Sequence, residues 1–103
     1  MIVTATQIKF NSILSLFYFL PMVKKLIKQL NEADGLIFYK LRGVYTLTGW
    51  KDHEAMRQFR NNGAHLDAMK NIKKIGLAKS VTWETKEEPS WDEAKKRLIE
   101  VKF

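Results

Sequence analysis

Hydrophobic and polar positions alternate along the first ten residues, and many of these residues are β-branched. A period of two with this composition predicts a strand over residues 1–10. Asn11 or Ser12 can then cap a helix, because apolar residues recur at intervals of three and four from residue 13 to residue 30. The apolar stripe of this predicted helix consists of Ile13, Leu16, Leu20, Val23, Ile27 and Leu30.

The first half of this predicted helix is apolar nearly all round, so we expect it to be covered on more than one side. The run over residues 13–23 is shorter than the roughly 20 residues of a bilayer span, and Pro21 interrupts it. Lys9 precedes the run as in a signal peptide, but Lys24 and Lys25 follow it where a small-residue cleavage site would stand. We interpret the run as a buried helix of a cytoplasmic protein.

Two more strands are predicted over residues 36–41 and 44–48, on either side of Arg42-Gly43. This pair predicts a tight hairpin, because Gly43 can adopt the positive φ that such a turn requires. A fourth strand is predicted over residues 77–85, with Val81 and Trp83 on one face.

Cap residues predict the remaining helices. Asp52 is placed to cap a helix that Asn62-Gly63 breaks, and Gly76 ends the helical piece that follows. Ser90 with Glu93 three residues later forms a capping box at the start of a last helix. The residues predicted to face inward are Ala55, Met56 and Phe59, then Leu66, Met69 and Ile72, then Trp91, Ala94 and Leu98.

The predicted order is β-α-β-β-α-β with an added C-terminal helix, which is the α+β, ferredoxin-like arrangement in one domain over residues 1–103. We expect helices to cover one face of the sheet and to leave the other face bare. A sheet that is apolar on both faces must bury the second one, so we predict a homodimer, sheet against sheet. The apolar residues behind this prediction are Ile2, Ile8, Phe10, Phe38, Trp50, Val81 and Trp83.

The composition of the chain excludes several kinds of site and partner. There is no cysteine, which excludes disulfides, thiolate-bound metals and a cysteine nucleophile. A net charge of +7 raises nucleic acid as a partner, but the basic residues form three separate stretches at the solvent side or ends of predicted helices and accompany no nucleic-acid motif. We therefore expect neither nucleic acid nor a membrane as a partner.

His65 is the candidate catalytic residue, since an imidazole can exchange protons near neutral pH or ligate haem iron. A surface or capping role for His65 remains the alternative, and His53 is expected to be exposed at a helix start. The two histidines lie 12 residues apart without a third ligand at metal spacing, so no metal site is predicted. No glycine-rich phosphate loop is present, and no nucleotide cofactor is expected.

Large apolar side chains could form the walls of a pocket for a flat apolar ligand. Packing in the core or in a dimer interface is the alternative, because aromatic residues dominate both. The candidates for ligand binding are Tyr39, Trp50, Phe59, Met69 and Trp83.

Two segments carry a resemblance to known proteins, LIFYKLRG over residues 36–43 and TLTGWKDHEAMRQF over residues 46–59, the latter continuing to His65. They resemble the antibiotic-biosynthesis monooxygenase-like dimeric α+β barrels. Within these they are most similar to the spheroidene monooxygenase-like branch, in which a Phe-Tyr-Lys-Leu strand precedes a Thr-Leu-x-x-Trp strand and a helix. The closing PSWDEA segment over residues 89–94 is similar to the tail of small uncharacterised members.

The resemblance implies a homodimer with a pocket between sheet and helices in each subunit. It further implies a monooxygenase-like protein for a hydrophobic or polycyclic substrate, either cofactor-free or haem-dependent. The haem-degrading branch has a Trp and a His where this chain has Phe59 and Met69, so the resemblance does not extend to that chemistry. A non-catalytic module of the same fold that binds an apolar ligand is the alternative.

Overall fold

The computed structural model describes all 103 residues and contains the four strands and four helices that the sequence predicts. The strand β3 differs most from its prediction, because it continues through Gly49 to Trp50. The elements are β1 (Ile2–Phe10), α1 (Ile13–Glu32), β2 (Leu36–Arg42), β3 (Tyr45–Trp50), α2 (His53–Arg60), α3 (Gly63–Ile75), β4 (Gly76–Glu84) and α4 (Trp91–Ile99).

The strands form one antiparallel sheet in the order β2-β3-β1-β4. The first strand is therefore central, with Ile2 opposite Trp50 of β3 on one side and opposite Glu84 of β4 on the other. This order, with helices between the strands, confirms the predicted ferredoxin-like α+β fold.

Side-chain caps fix three of the helix starts. The side chain of Ser12, rather than that of Asn11, accepts a hydrogen bond from the Ser15 amide at 3.2 Å. Asp52 accepts from the Ala55 amide at 2.8 Å, and Ser90 accepts from the Glu93 amide at 3.2 Å. Each bond satisfies one of the backbone donors left free in a first helical turn.

Two separate hydrophobic clusters lie on the two faces of the sheet. On the side of α1 and α2, Ile2 and Trp50 pack with Leu30, Met56 and Phe59. On the other side, the buried cluster consists of Val3, Ala5 and Leu47 from the sheet with Ala94 and Leu98 from α4.

The prediction of a bare second face was wrong, because α4 packs across it. The cluster beneath α4 is surrounded by Phe38, Val81 and Trp83. The apolar residues of that face are therefore covered within one chain, without a second copy. The homodimer accordingly stays a prediction.

The prediction that the first half of α1 is buried was also wrong. Within residues 13–23 only Phe19 is buried, and its ring packs on Phe10 with a centroid separation of 5.5 Å. The neighbouring side chains of Ile13, Leu14 and Phe17 are 69%, 76% and 61% exposed. Helix α1 packs mainly on α3, and only one side of α1 makes this contact. The rest of the apolar surface of α1 therefore stays exposed. None of the helices combines the length and the hydropathy needed to cross a bilayer.

Candidate functional site

The middle of the sheet is polar on the side that faces α1 to α3. Alternate residues of a strand share a face, so Thr4 and Thr6 point to the same side as the core residue Ile2. The strand register then brings four more hydroxyl residues alongside them on β3 and β4. We call the resulting group the hydroxyl cluster, and it consists of Thr4, Thr6, Thr46, Thr48, Ser80 and Thr82.

None of these six side chains is buried, and Ser80 and Thr82 are exposed. The hydroxyl groups of Thr4 and Thr82 lie 2.9 Å apart and share a hydrogen bond. The Thr48 hydroxyl accepts from the Trp50 indole at 2.9 Å. Because each hydroxyl can donate once and accept twice, the cluster keeps capacity for further hydrogen bonds.

Aromatic pairs border the hydroxyl cluster at both ends of the strands. Trp50 follows Thr48 and packs on Phe59 with ring centroids 5.1 Å apart, while Phe10 packs on Phe19 at the opposite end of β1. A polar strip between aromatic groups fits a flat ligand that carries a few polar substituents. The cluster contains no carboxylate, imidazole or amine, so its own chemistry is limited to hydrogen bonding.

His65 lies at the start of α3, where Gln29 of α1 accepts a hydrogen bond from its backbone amide at 2.9 Å. Its Nδ1 atom is 3.0 Å from the Arg60 carbonyl oxygen. A carbonyl can only accept, so Nδ1 carries the proton of the neutral ring and Nε2 keeps its lone pair. Nε2 has no hydrogen-bond partner within the chain.

Burial lowers the pKa of His65 below its ordinary value, and the Arg60 guanidinium lowers it further, while the hydrogen bond to the Arg60 carbonyl opposes both. The ring is therefore neutral at neutral pH, with a basic nitrogen held in one tautomer. This is the protonation state that a general base requires.

The His65 ring packs on Phe59, with centroids 5.0 Å apart, and Phe59 packs on Trp50. Two aromatic rings thus separate His65 from Thr48 and the hydroxyl cluster. A catalytic role for His65 stays a prediction.

The structure brings together only some of the residues predicted to bind a ligand. Trp50 and Phe59 are buried in one core, and Tyr39 packs beside them and donates to the Asn31 side chain at 3.0 Å. Met69 lies exposed on α3. Trp83 lies on the opposite face of the sheet, beneath the Arg97 guanidinium at 4.6 Å.

An open depression of about 520 Å³ lies between the C-terminal end of α1 and the N-terminal end of α2. Its lining is mainly polar and includes Glu32, Asp34 and Lys51, together with Phe59, but not His65. It is therefore not a closed apolar pocket that reaches His65. No group of acidic and histidine side chains in the chain has the arrangement of a metal site.

Haem requires an axial ligand beside an apolar slot. His65 offers a lone pair, but its ring packs on Phe59 and the depression beside Phe59 is polar and open. The residues present do not fit haem.

Sequence reasoning missed the hydroxyl cluster, although the signal was present. The alternation in β1 places Thr4 and Thr6 on the face of Ile2, and the same period in β3 places Thr46 and Thr48 on the face of Trp50. The aromatic residues led instead to the prediction of an apolar pocket.

No model of a known protein family matches this sequence, and no curated protein matches it. Solved structures do match in fold. A mutant form of SnoaB, a cofactor-independent oxygenase from Streptomyces nogalater, is 11% identical with a TM-score of 0.66, over 84% of this chain and 94% of that one. Another match is an antibiotic biosynthesis monooxygenase, 13% identical with a TM-score of 0.70, over 82% of this chain and 98% of that one.

Rv0793 from Mycobacterium tuberculosis is 12% identical with a TM-score of 0.70, over 87% of this chain and 100% of that one. At such identities the similarity concerns the fold, and it confirms the predicted likeness to the antibiotic-biosynthesis monooxygenase-like proteins. The spheroidene monooxygenase-like branch stays a prediction.

Proposed function

We propose that this chain, which has the fold of the antibiotic-biosynthesis monooxygenase-like proteins, is a monooxygenase-like enzyme that uses no bound cofactor. Its substrate is a flat hydrophobic or polycyclic molecule with hydroxyl or keto substituents. The observation that carries the proposal is the hydroxyl cluster, half open on the helix-facing side of the sheet and bordered by aromatic pairs.

Burial and hydrogen bonding would bind different parts of such a substrate. Its rings gain from contact with the aromatic borders, and its substituents are oriented by the hydroxyls of residues such as Thr6, Thr46 and Ser80. In an oxygenation without a cofactor, the substrate itself supplies the electrons to molecular oxygen after losing a proton. The protein then contributes orientation and a base.

His65 is the base in this proposal, because its Nε2 atom is neutral, unpaired and fixed in one tautomer. A substrate bound at the hydroxyl cluster must extend past both Trp50 and Phe59 to reach it. The variant His65→Asn would then abolish turnover while leaving binding intact.

Anthrone is a suitable probe, since it is a flat tricyclic ketone whose enolate reacts with molecular oxygen to give anthraquinone and water. We expect the purified protein to accelerate oxygen uptake and quinone formation. The variant Thr6→Val, which keeps the side-chain shape and removes a hydroxyl, should weaken the reaction about tenfold, equivalent to about 1.4 kcal/mol. Thr85→Val outside the cluster is the matched control and should leave the rate unchanged. Failure of the protein to accelerate oxidation at all would refute the enzymatic proposal.

A non-catalytic binding module is the second candidate, and the absence of any titratable side chain in the hydroxyl cluster favours it. In that case anthrone should quench the fluorescence of the cluster's neighbour Trp50 without oxygen uptake. Thr6→Val should weaken this quenching, and His65→Asn should have no effect on it.

We also propose that the chain forms a homodimer, with α4 part of the interface because it lies over the second sheet face. Light scattering at micromolar concentration should give twice the monomer mass, and a monomer mass would refute this arrangement.

A further inference from the structure

The exposed side of the first half of α1 is apolar. Ile13, Leu14, Phe17 and Tyr18 recur at intervals of three and four and so share one side of the helix. Their side chains are 69%, 76%, 61% and 64% exposed. We call these four residues the α1 patch. Contiguous large apolar side chains of this kind mark a binding surface rather than ordinary surface composition.

Lysines follow the α1 patch along the same helix. The same side of the helix continues toward its C-terminal end with the exposed residues Lys24, Lys25 and Lys28.

The last turn of α3 adds two more cations. The Asn11 amide donates to the Ile75 carbonyl at 3.0 Å, which places the end of α3 beside the start of α1. That turn carries Lys73 and Lys74, both exposed. Positive charge therefore lies beside the α1 patch both farther along α1 and at the end of α3.

Acidic residues are absent from residues 1–31 and 68–83, which include β1, the α1 patch, the last turn of α3 and most of β4. The first acidic residue in the chain is Glu32, at the far end of α1, and none lies between Asp67 and Glu84. Glu32, Asp34, Asp52 and Glu54 instead line the depression at the opposite end of α1. The α1 patch thus combines apolar surface with uncompensated positive charge.

We propose that the α1 patch inserts into the surface of an anionic lipid bilayer, with α1 resting on the membrane rather than crossing it. An apolar face that carries aromatic residues beside lysines has the composition of an interfacial helix. A second copy of the chain would place lysines against lysines, whereas anionic headgroups neutralise them. This partner departs from the expectation, based on length and charge, that no membrane takes part.

Flotation of the full chain with phosphatidylcholine vesicles, with and without phosphatidylglycerol, tests this inference. We expect the protein to float with the anionic vesicles only, and the bound fraction to fall as salt is raised. The double variant Leu14→Ser, Phe17→Ser should lower the partition coefficient at least about tenfold, because two large side chains no longer enter the bilayer. The matched control is Ile37→Ser, which changes a side chain that is 54% exposed on β2 and should bind like the wild type.

A second variant tests the charge. Lys24→Glu, Lys25→Glu should likewise lower the partition coefficient at least about tenfold. Since both residues are exposed, circular dichroism should show an unchanged fold. Absence of wild-type flotation, or equal flotation of the Leu14→Ser, Phe17→Ser variant, would overturn the inference. So would a wild-type dimer that this variant converts to a monomer, because the α1 patch would then be an interface between copies.

Discussion

The ring of Phe38 lies directly on the backbone of Gly49, and a β-carbon at position 49 would come within 2.2 Å of its Cε1 atom. Phe38 is held on this side of the sheet by the cluster beneath α4. Gly49→Ala should therefore displace the ring and lower the free energy of unfolding by about 1–3 kcal/mol, as overpacking of a core does. Urea unfolding followed by circular dichroism measures the loss.

A double-mutant cycle identifies the cause. In a Phe38→Leu background the ring is gone, so Gly49→Ala should cost markedly less than in the wild type. Equal costs in the two backgrounds would show that the backbone at Gly49, not the ring, opposes the substitution.

Leu98 and Ile99 are neighbours on α4 with opposite environments, 1% and 77% exposed. Leu98 packs against Val3, Ala5 and Leu47, so Leu98→Ala should lower the free energy of unfolding by about 2–5 kcal/mol. Ile99→Ala removes a side chain that touches little within its own chain, so at a concentration where the protein is monomeric it should change stability by less than about 0.5 kcal/mol. Similar losses for both would mean that α4 does not pack on its own sheet in solution.

Ser90 caps α4 through the hydrogen bond that its hydroxyl accepts from the Glu93 amide. Ser90→Ala should cost about 1 kcal/mol of stability, because it leaves that amide without a side-chain partner. Ser80→Ala, at an exposed strand position, is the comparison and should be nearly neutral in thermal unfolding. A Ser90→Ala protein that melts like the wild type would show that the hydroxyl contributes nothing to α4.

His65 makes stability depend on pH in a defined direction. Its pKa in the folded chain lies below the ordinary value because burial disfavours the charged ring. The neutral form is the one the fold favours, so its contribution is present above pH 6.5 and is lost as pH falls through the lowered folded pKa.

The free energy of unfolding should therefore be nearly constant from pH 7.5 to about pH 6.5, the ordinary histidine pKa, and should fall as the pH is lowered further toward the folded pKa. His65→Gln should flatten this slope, whereas His53→Gln at an exposed helix start should keep it. A slope that survives His65→Gln would assign the pH dependence to other groups.

Much of the fold was predictable because the sequence patterns that indicate it are local. The cap residues Ser12, Asp52 and Ser90 fix helix starts within a few residues of chain, and the alternation in β1 fixes its two faces. The order of elements then leaves few ways to pair the strands.

Two features depended on information that a local pattern does not carry. The spacing of apolar residues in α4 does not indicate which face of the sheet the helix packs on. The packing of α4 over Leu47 was therefore not predicted. The apolar width of α1 predicted burial, but burial depends on how many elements pack around the helix, and Phe17 has none. The candidate site was harder still, because Thr4, Thr48 and Thr82 come together only through the strand register.

The central position of β1 also affects how the chain folds while it is being synthesised. The ribosome makes β1 before the other three strands, but β4 completes the hydrogen bonding of β1 only when residues 76–84 have emerged. Until then one edge of a β-branched strand stays open, which is the condition under which nascent chains pair with the wrong partner. Chains stalled before residue 76 should consequently recruit chaperones that released full-length chains no longer need.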